Sequence, residues 1–61
     1  MEYYVIYDLN DYIVAYFDNL KELSYYTGLR TFDINYKFKK TLSDYILFDM
    51  SNNRYKIYKF C

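Results

Sequence analysis

One glycine and no proline in 61 residues leave this chain a single position where left-handed backbone carries no steric cost. That position, Gly28, lies inside residues 18–40, DNLKELSYYTGLRTFDINYKFKK, and divides the stretch into two short helical patterns. Asn19 is placed to cap the first, accepting from backbone N–H groups that have no partner within the helix, and Glu22 follows at capping-box distance. Leu20, Leu23 and Thr27 then recur at the three-and-four spacing of one helix face. Gly28 ends that helix. Thr31 is expected to cap the second, with Asp33 at its positive end, while Ile34 and Phe38 form an inward ridge. Ser24 is small enough for the helices to pack closely. The pattern predicts a helix-turn-helix.

Strands are expected on either side. Residues 3–7, YYVIY, and 12–17, YIVAYF, are β-branched and aromatic, and are separated by the turn cluster DLND, where Asn10 and Asp11 tolerate positive φ. Alternation puts Tyr3, Val5 and Tyr7 on one face of the first strand and Tyr4 and Ile6 on the other. After the loop TLSD come YILFD and RYKIYKF, joined by MSNN with Asn52-Asn53 as the expected two-residue turn. Tyr55 and Ile57 should share one side of the last strand and Arg54 and Lys56 the other. Lys56 and Lys59 suit the guarding of a terminal edge strand.

The expected fold is therefore α+β, one small domain of order ββααββ: a hairpin (1–17), a helix-turn-helix (18–40) and a C-terminal hairpin (41–61), the two hairpins flanking the helices. Its core should combine Leu20, Leu23, Leu29, Ile34 and Phe38 with Val5, Ile13, Phe17, Leu47 and Ile57. A chain of this length buries only about 60% of its unfolded surface, so stability is marginal. Much of its apolar material is tyrosine, eleven residues beside five phenylalanines, whose rings pack while their hydroxyls stay wet. A homodimer covering a tyrosine-rich hairpin face is one expected outcome.

Net charge is zero but unevenly spread. Residues 1–29 carry five acids and only Lys21; residues 30–61 carry seven bases and three acids. Such asymmetry suits a polyanionic partner. The single cysteine, Cys61, allows no intrachain disulfide and fits a reducing, cytoplasmic interior. No apolar run reaches the ~20 residues of a bilayer span, and Glu2 stands where a leader would begin its basic segment.

The stretch YYVIYDLNDYIVAYFDNLKELSYYTGLRTFDI resembles the small nuclease-associated modular DNA-binding domains of homing endonucleases and phage-encoded proteins. Val5, Tyr7 and Asp8 match that family's first strand and Phe17 the end of its second. Leu20, Glu22 and Leu23 match its first helix, Gly28 and Leu29 its turn, and Ile34 its second helix. The resemblance covers the first two-thirds of the chain and implies a module that grips DNA. The chain also looks like the short accessory proteins of phages and mobile elements, some of which inhibit host defence nucleases.

Catalytic pairings are missing. There is no histidine to serve as base, Ser24, Ser43 and Ser51 have no partner, and one glycine cannot build a phosphate loop. A lone cysteine cannot assemble a zinc site. No enzyme activity, cofactor, metal or small-molecule substrate is expected. A binding surface is, formed by Arg30, Thr31, Asn35, Tyr36, Lys37, Lys39 and Lys40 of the second helix, with Arg54 and Lys56 as outriders. Arginine suits guanine, asparagine adenine, and lysine phosphate. Three partners remain open: DNA; a nucleic-acid-handling host protein inhibited in anti-CRISPR fashion, through the same basic face or the acidic tyrosine-rich hairpin; and a second copy of the chain.

Overall fold

The computed structural model describes residues 2–60; Met1 and Cys61, and with the latter the expected absence of a disulfide, lie outside them. The elements follow the order β1 (Tyr3–Asp8), β2 (Ile13–Phe17), α1 (Leu20–Thr27), α2 (Thr31–Lys40), β3 (Tyr45–Met50) and β4 (Asn53–Phe60). The domain is α+β with four antiparallel strands and two helices. The hairpins do not flank the helices. They fuse edge to edge into one sheet of order β2-β1-β4-β3, because β1 pairs with β4 over the whole of β1, from Tyr3 opposite Phe60 to Asp8 opposite Tyr55. This corrects the place of Lys56 and Lys59: β4 is a central strand, so neither lysine guards an edge.

Both helices cover one face of the sheet. Leu23 of α1 and Ile34 of α2 are fully buried against Tyr4, Ile6, Ile46, Phe48 and Ile57, with Phe17, Leu20, Leu29 and Phe38 closing the margins. Two expected core residues lie elsewhere. Leu47 is 44% exposed because period-two alternation turns it away from the helix face that Ile46 and Phe48 occupy. Ile13 is 68% exposed at the start of an edge strand, where the ladder shifts register between Ile6 and Tyr7. Val5 is buried, but on the face opposite the helices, where its cross-strand neighbours are Tyr16 and Tyr58.

The connection between the helices is fixed by local hydrogen bonds. Asn19, in extended geometry, accepts the Glu22 N–H at 2.8 Å and caps α1 as expected. Gly28 adopts φ 77°, and its N–H donates to the Ser24 carbonyl at 2.9 Å. Thr27 Oγ1 donates to the Leu23 carbonyl at 2.9 Å and accepts the Leu29 N–H at 3.2 Å, while the Ser24 hydroxyl donates to the Leu29 carbonyl. Ser24 therefore fastens the turn as well as being small. Thr31 is not the cap of α2: Arg30 holds that position without a side-chain cap bond, and Thr31 is the first helical residue. Arg30 reaches Asp33 instead, at 3.1 Å.

Both strand turns differ in detail from expectation. In the first, Asp8 organises the loop by accepting N–H bonds from Asn10 at 2.8 Å and Tyr12 at 3.0 Å, and Asp11 alone takes positive φ. In the second, Ser51 and Asn52 form the two-residue turn, both at positive φ, with Met50 opposite Asn53. A turn at Asn52-Asn53 would set Ile46 against Lys59. The observed register sets Ile46 against Ile57 and keeps the buried ladder apolar.

Candidate nucleic-acid or partner interface

α2 rests on the sheet through Ile34 and Phe38, so the other sides of the helix face solvent. Thr31, Asn35, Tyr36, Lys37, Lys39 and Lys40 are all exposed. They fall on two flanks. Asn35 and Lys39, one turn apart, border an open depression of about 820 Å³ shared with Phe38, Thr41, Lys59 and Phe60. Tyr36, Lys37 and Lys40 border a shallower groove beside Tyr45 and Leu47 of β3.

The cations divide into two chemical groups. Arg30 pairs with Asp33 at 3.1 Å, Arg54 with Asp49 at 3.0 Å, Lys59 with Glu2 at 3.2 Å, and Lys56 with Asp11. The hydrogen bond to Asp49 raises the Arg54 pKa above its ordinary value, and the bond to Asp11 does the same for Lys56. Among the described residues, Lys21, Lys37, Lys39 and Lys40 make no ion pair, and the last three crowd the final turn of α2. The negative end of the helix dipole stabilises them there.

Arg54 and Lys56 are not part of the α2 surface. Alternation along β4 puts them on the sheet face away from the helices, opposite Asp49 and Leu47 of β3. That face is aromatic. Rings run across all four strands, from Tyr16 to Tyr3 (5.6 Å between centroids), Tyr3 to Phe60 (5.1 Å), Phe60 to Tyr58 (6.0 Å) and Tyr58 to Tyr45 (5.2 Å). Tyr7 joins Tyr58 edge-on at 5.1 Å, and the Lys56 ammonium lies 5.6 Å from the Tyr45 ring.

One residue of the α2 surface was missed in the sequence. Phe32 is 73% exposed and stacks on Tyr36 with centroids 6.4 Å apart, and Lys40 stands 5.6 Å over the Tyr36 ring. Phe32, Tyr36 and Lys40 thus make one aromatic and cationic stripe. Their four-residue spacing is visible in the sequence, beside the inward ridge of Ile34 and Phe38 on the same helix. The arrangement suits contact with a polyanion that also offers flat apolar groups. Among the described residues no cluster of metal-ligating side chains occurs, and no helix is long and apolar enough to cross a membrane.

No family model, no curated protein and no solved structure matches the chain.

Proposed function

We propose that this chain is a non-enzymatic DNA-binding module of the phage or mobile-element type, in which α1 and α2 act as a helix-turn-helix and α2 carries the contacts. The observation behind this reading is the division of the cations: of the four lysines with no carboxylate partner among the described residues, three share the last turn of α2. They supply phosphate contacts, and Asn35 and Thr31 supply hydrogen bonding on the same helix. The glycine turn and the resemblance to nuclease-associated DNA-binding domains add support. Arg30, Arg54 and Lys56 are secondary, each already paired with an aspartate.

Fluorescence anisotropy on a labelled duplex tests this. About three phosphate contacts give a log–log salt slope near −3, since each releases a counterion. Charge reversal of Lys37, Lys39 and Lys40 to Glu should abolish binding; because it also opposes the α2 dipole, circular dichroism on the variant establishes that it is folded before binding is compared. Undiminished binding by that variant would exclude α2.

A second reading, inhibition of a host nucleic-acid-handling protein, is favoured by the aromatic face of the sheet, since tyrosine is among the residues enriched in protein-binding hot spots. Salt-independent capture of one protein from nuclease-treated host lysate, lost on the lysine reversal or on Tyr58→Ala, would support it over DNA binding.

A further inference from the structure

The two edges of the sheet are built differently. β3 carries Asp49 and is flanked by Lys37 and Lys40 of α2, which border the groove beside Tyr45, Ile46 and Leu47. Charges along an edge oppose pairing with another strand. β2, at the other edge, reads IVAYF and contains no charge. Its outer surface is apolar: Ile13 is 68% exposed, Val14 39% and Tyr16 59%, and Leu9 and Tyr12 beside them are 58% and 70% exposed. The β1–β2 ladder shifts register at Val14, and beyond that bulge the uncharged edge presents unpaired backbone donors and acceptors, a template for another strand.

We infer that β2 is the self-association edge of this protein, pairing antiparallel with β2 of a second copy to form a continuous eight-stranded sheet. The edge has no charge to offer a charged foreign strand, whereas a second copy of β2 is itself uncharged. A two-fold pairing centred on Ala15 sets Ile13 against Phe17 and Val14 against Tyr16 of the second copy, so no like charges meet along the strand. Asp11 and Asp18 fall outside the paired segment, opposite Asn19 and Tyr12 of the other chain. The pairing also closes: with β2 consumed and β3 charged, no bare edge remains to extend the assembly. The aromatic layer gains as well, because Tyr16 is its outermost ring and lies next to the two-fold axis. This inference needs no assumption about what α2 binds.

A five-residue strand is only about 17 Å long, so the contact is smaller than the ~1,200 Å² of a tight complex. The dimer should therefore form at roughly 10–1,000 μM. Sedimentation equilibrium across that range should show a monomer–dimer exchange and no higher species. Val14→Lys and Tyr16→Lys should each leave a monomer at all concentrations, whereas Leu47→Lys on the other edge should dimerise normally. Circular dichroism on each variant confirms folding. Hydrogen exchange on the unmodified chain gives an independent reading: amide protection in residues 13–17 should rise with protein concentration, and that in residues 45–50 should not. A monomer throughout, a dimer that survives both β2 substitutions, or protection rising at β3 instead would each overturn the inference.

Discussion

Ile6 and Ile57 face each other across the β1–β4 pair, and neither exposes any surface. They join the first hairpin to the last at the centre of the sheet, directly under the two helices. Ile57→Ala should cost about 2–5 kcal/mol, the transfer term plus the cavity left behind. A domain of this size has roughly 3–5 kcal/mol in total, so the variant should be largely unfolded at room temperature. Ile57→Val should remain folded with a loss of about 0.5–1.5 kcal/mol. Urea titration followed by circular dichroism measures both. A near-native midpoint for Ile57→Ala would place the core elsewhere.

Gly28 separates backbone strain from crowding. A Cβ built there meets nothing within 4 Å, so space is not the constraint; φ 77° is. Gly28→Ala should cost about 1–2 kcal/mol, the ordinary penalty for left-handed geometry. Gly28→Val should cost up to about 3 kcal/mol, since β-branching aggravates the same strain. Asparagine, which enters this region readily, should be nearly neutral. Equal melting temperatures for the asparagine and valine variants would contradict the observed turn.

The Lys56–Asp11 bond makes part of the stability liable to loss at alkaline pH. That bond raises the lysine pKa above its ordinary 10.5. A group whose folded pKa exceeds its unfolded one stabilises fully below the unfolded value and loses the effect as pH climbs through the folded value. Lys56→Met should therefore lower the melting temperature by a constant margin from about pH 6 to 9, and the margin should shrink above about pH 10.5. A margin unchanged into that alkaline range would show that the loss comes from packing against Tyr45 rather than from the charge.

Paired and unpaired cations should differ in duplex binding. Lys39→Ala should weaken affinity and reduce the salt slope by about one, as expected for one lost phosphate contact. Arg54→Ala should leave both affinity and slope unchanged, because Arg54 is engaged with Asp49 on the far face of the sheet. Anisotropy titrations at several salt concentrations distinguish them. Equal losses would mean that the partner wraps both faces.

Local chemistry made most of the elements legible. The Asn19 cap, the Gly28 stop and the alternation of Tyr4 and Ile6 against Val5 depend on neighbours a few residues away, and each appears as read. The β1–β4 pairing was not legible, because two tyrosine-rich strands at opposite ends of the chain carry no mark of adjacency. For the same reason the ion pairs of Arg54 and Lys56 were not legible. Arg54 and Lys56 look as free as Lys37 in the sequence, yet Lys56 meets Asp11 across 45 residues and Arg54 meets Asp49 across a turn that sits one residue earlier than Asn52-Asn53. Only the folded sheet separates neutralised cations from available ones.

The Tyr3–Phe60 pairing has a mechanical consequence. It places the two ends of the described chain side by side on adjacent antiparallel strands. Tension applied at both ends peels that ladder open one hydrogen-bonded pair at a time, as a zipper opens, instead of shearing all its bonds together. The first strands to part are the two at the middle of the sheet, and the ridge under both helices goes with them. An unfoldase that holds one end against a stationary other end would meet low resistance, and collapse of the whole domain would follow the first few broken pairs.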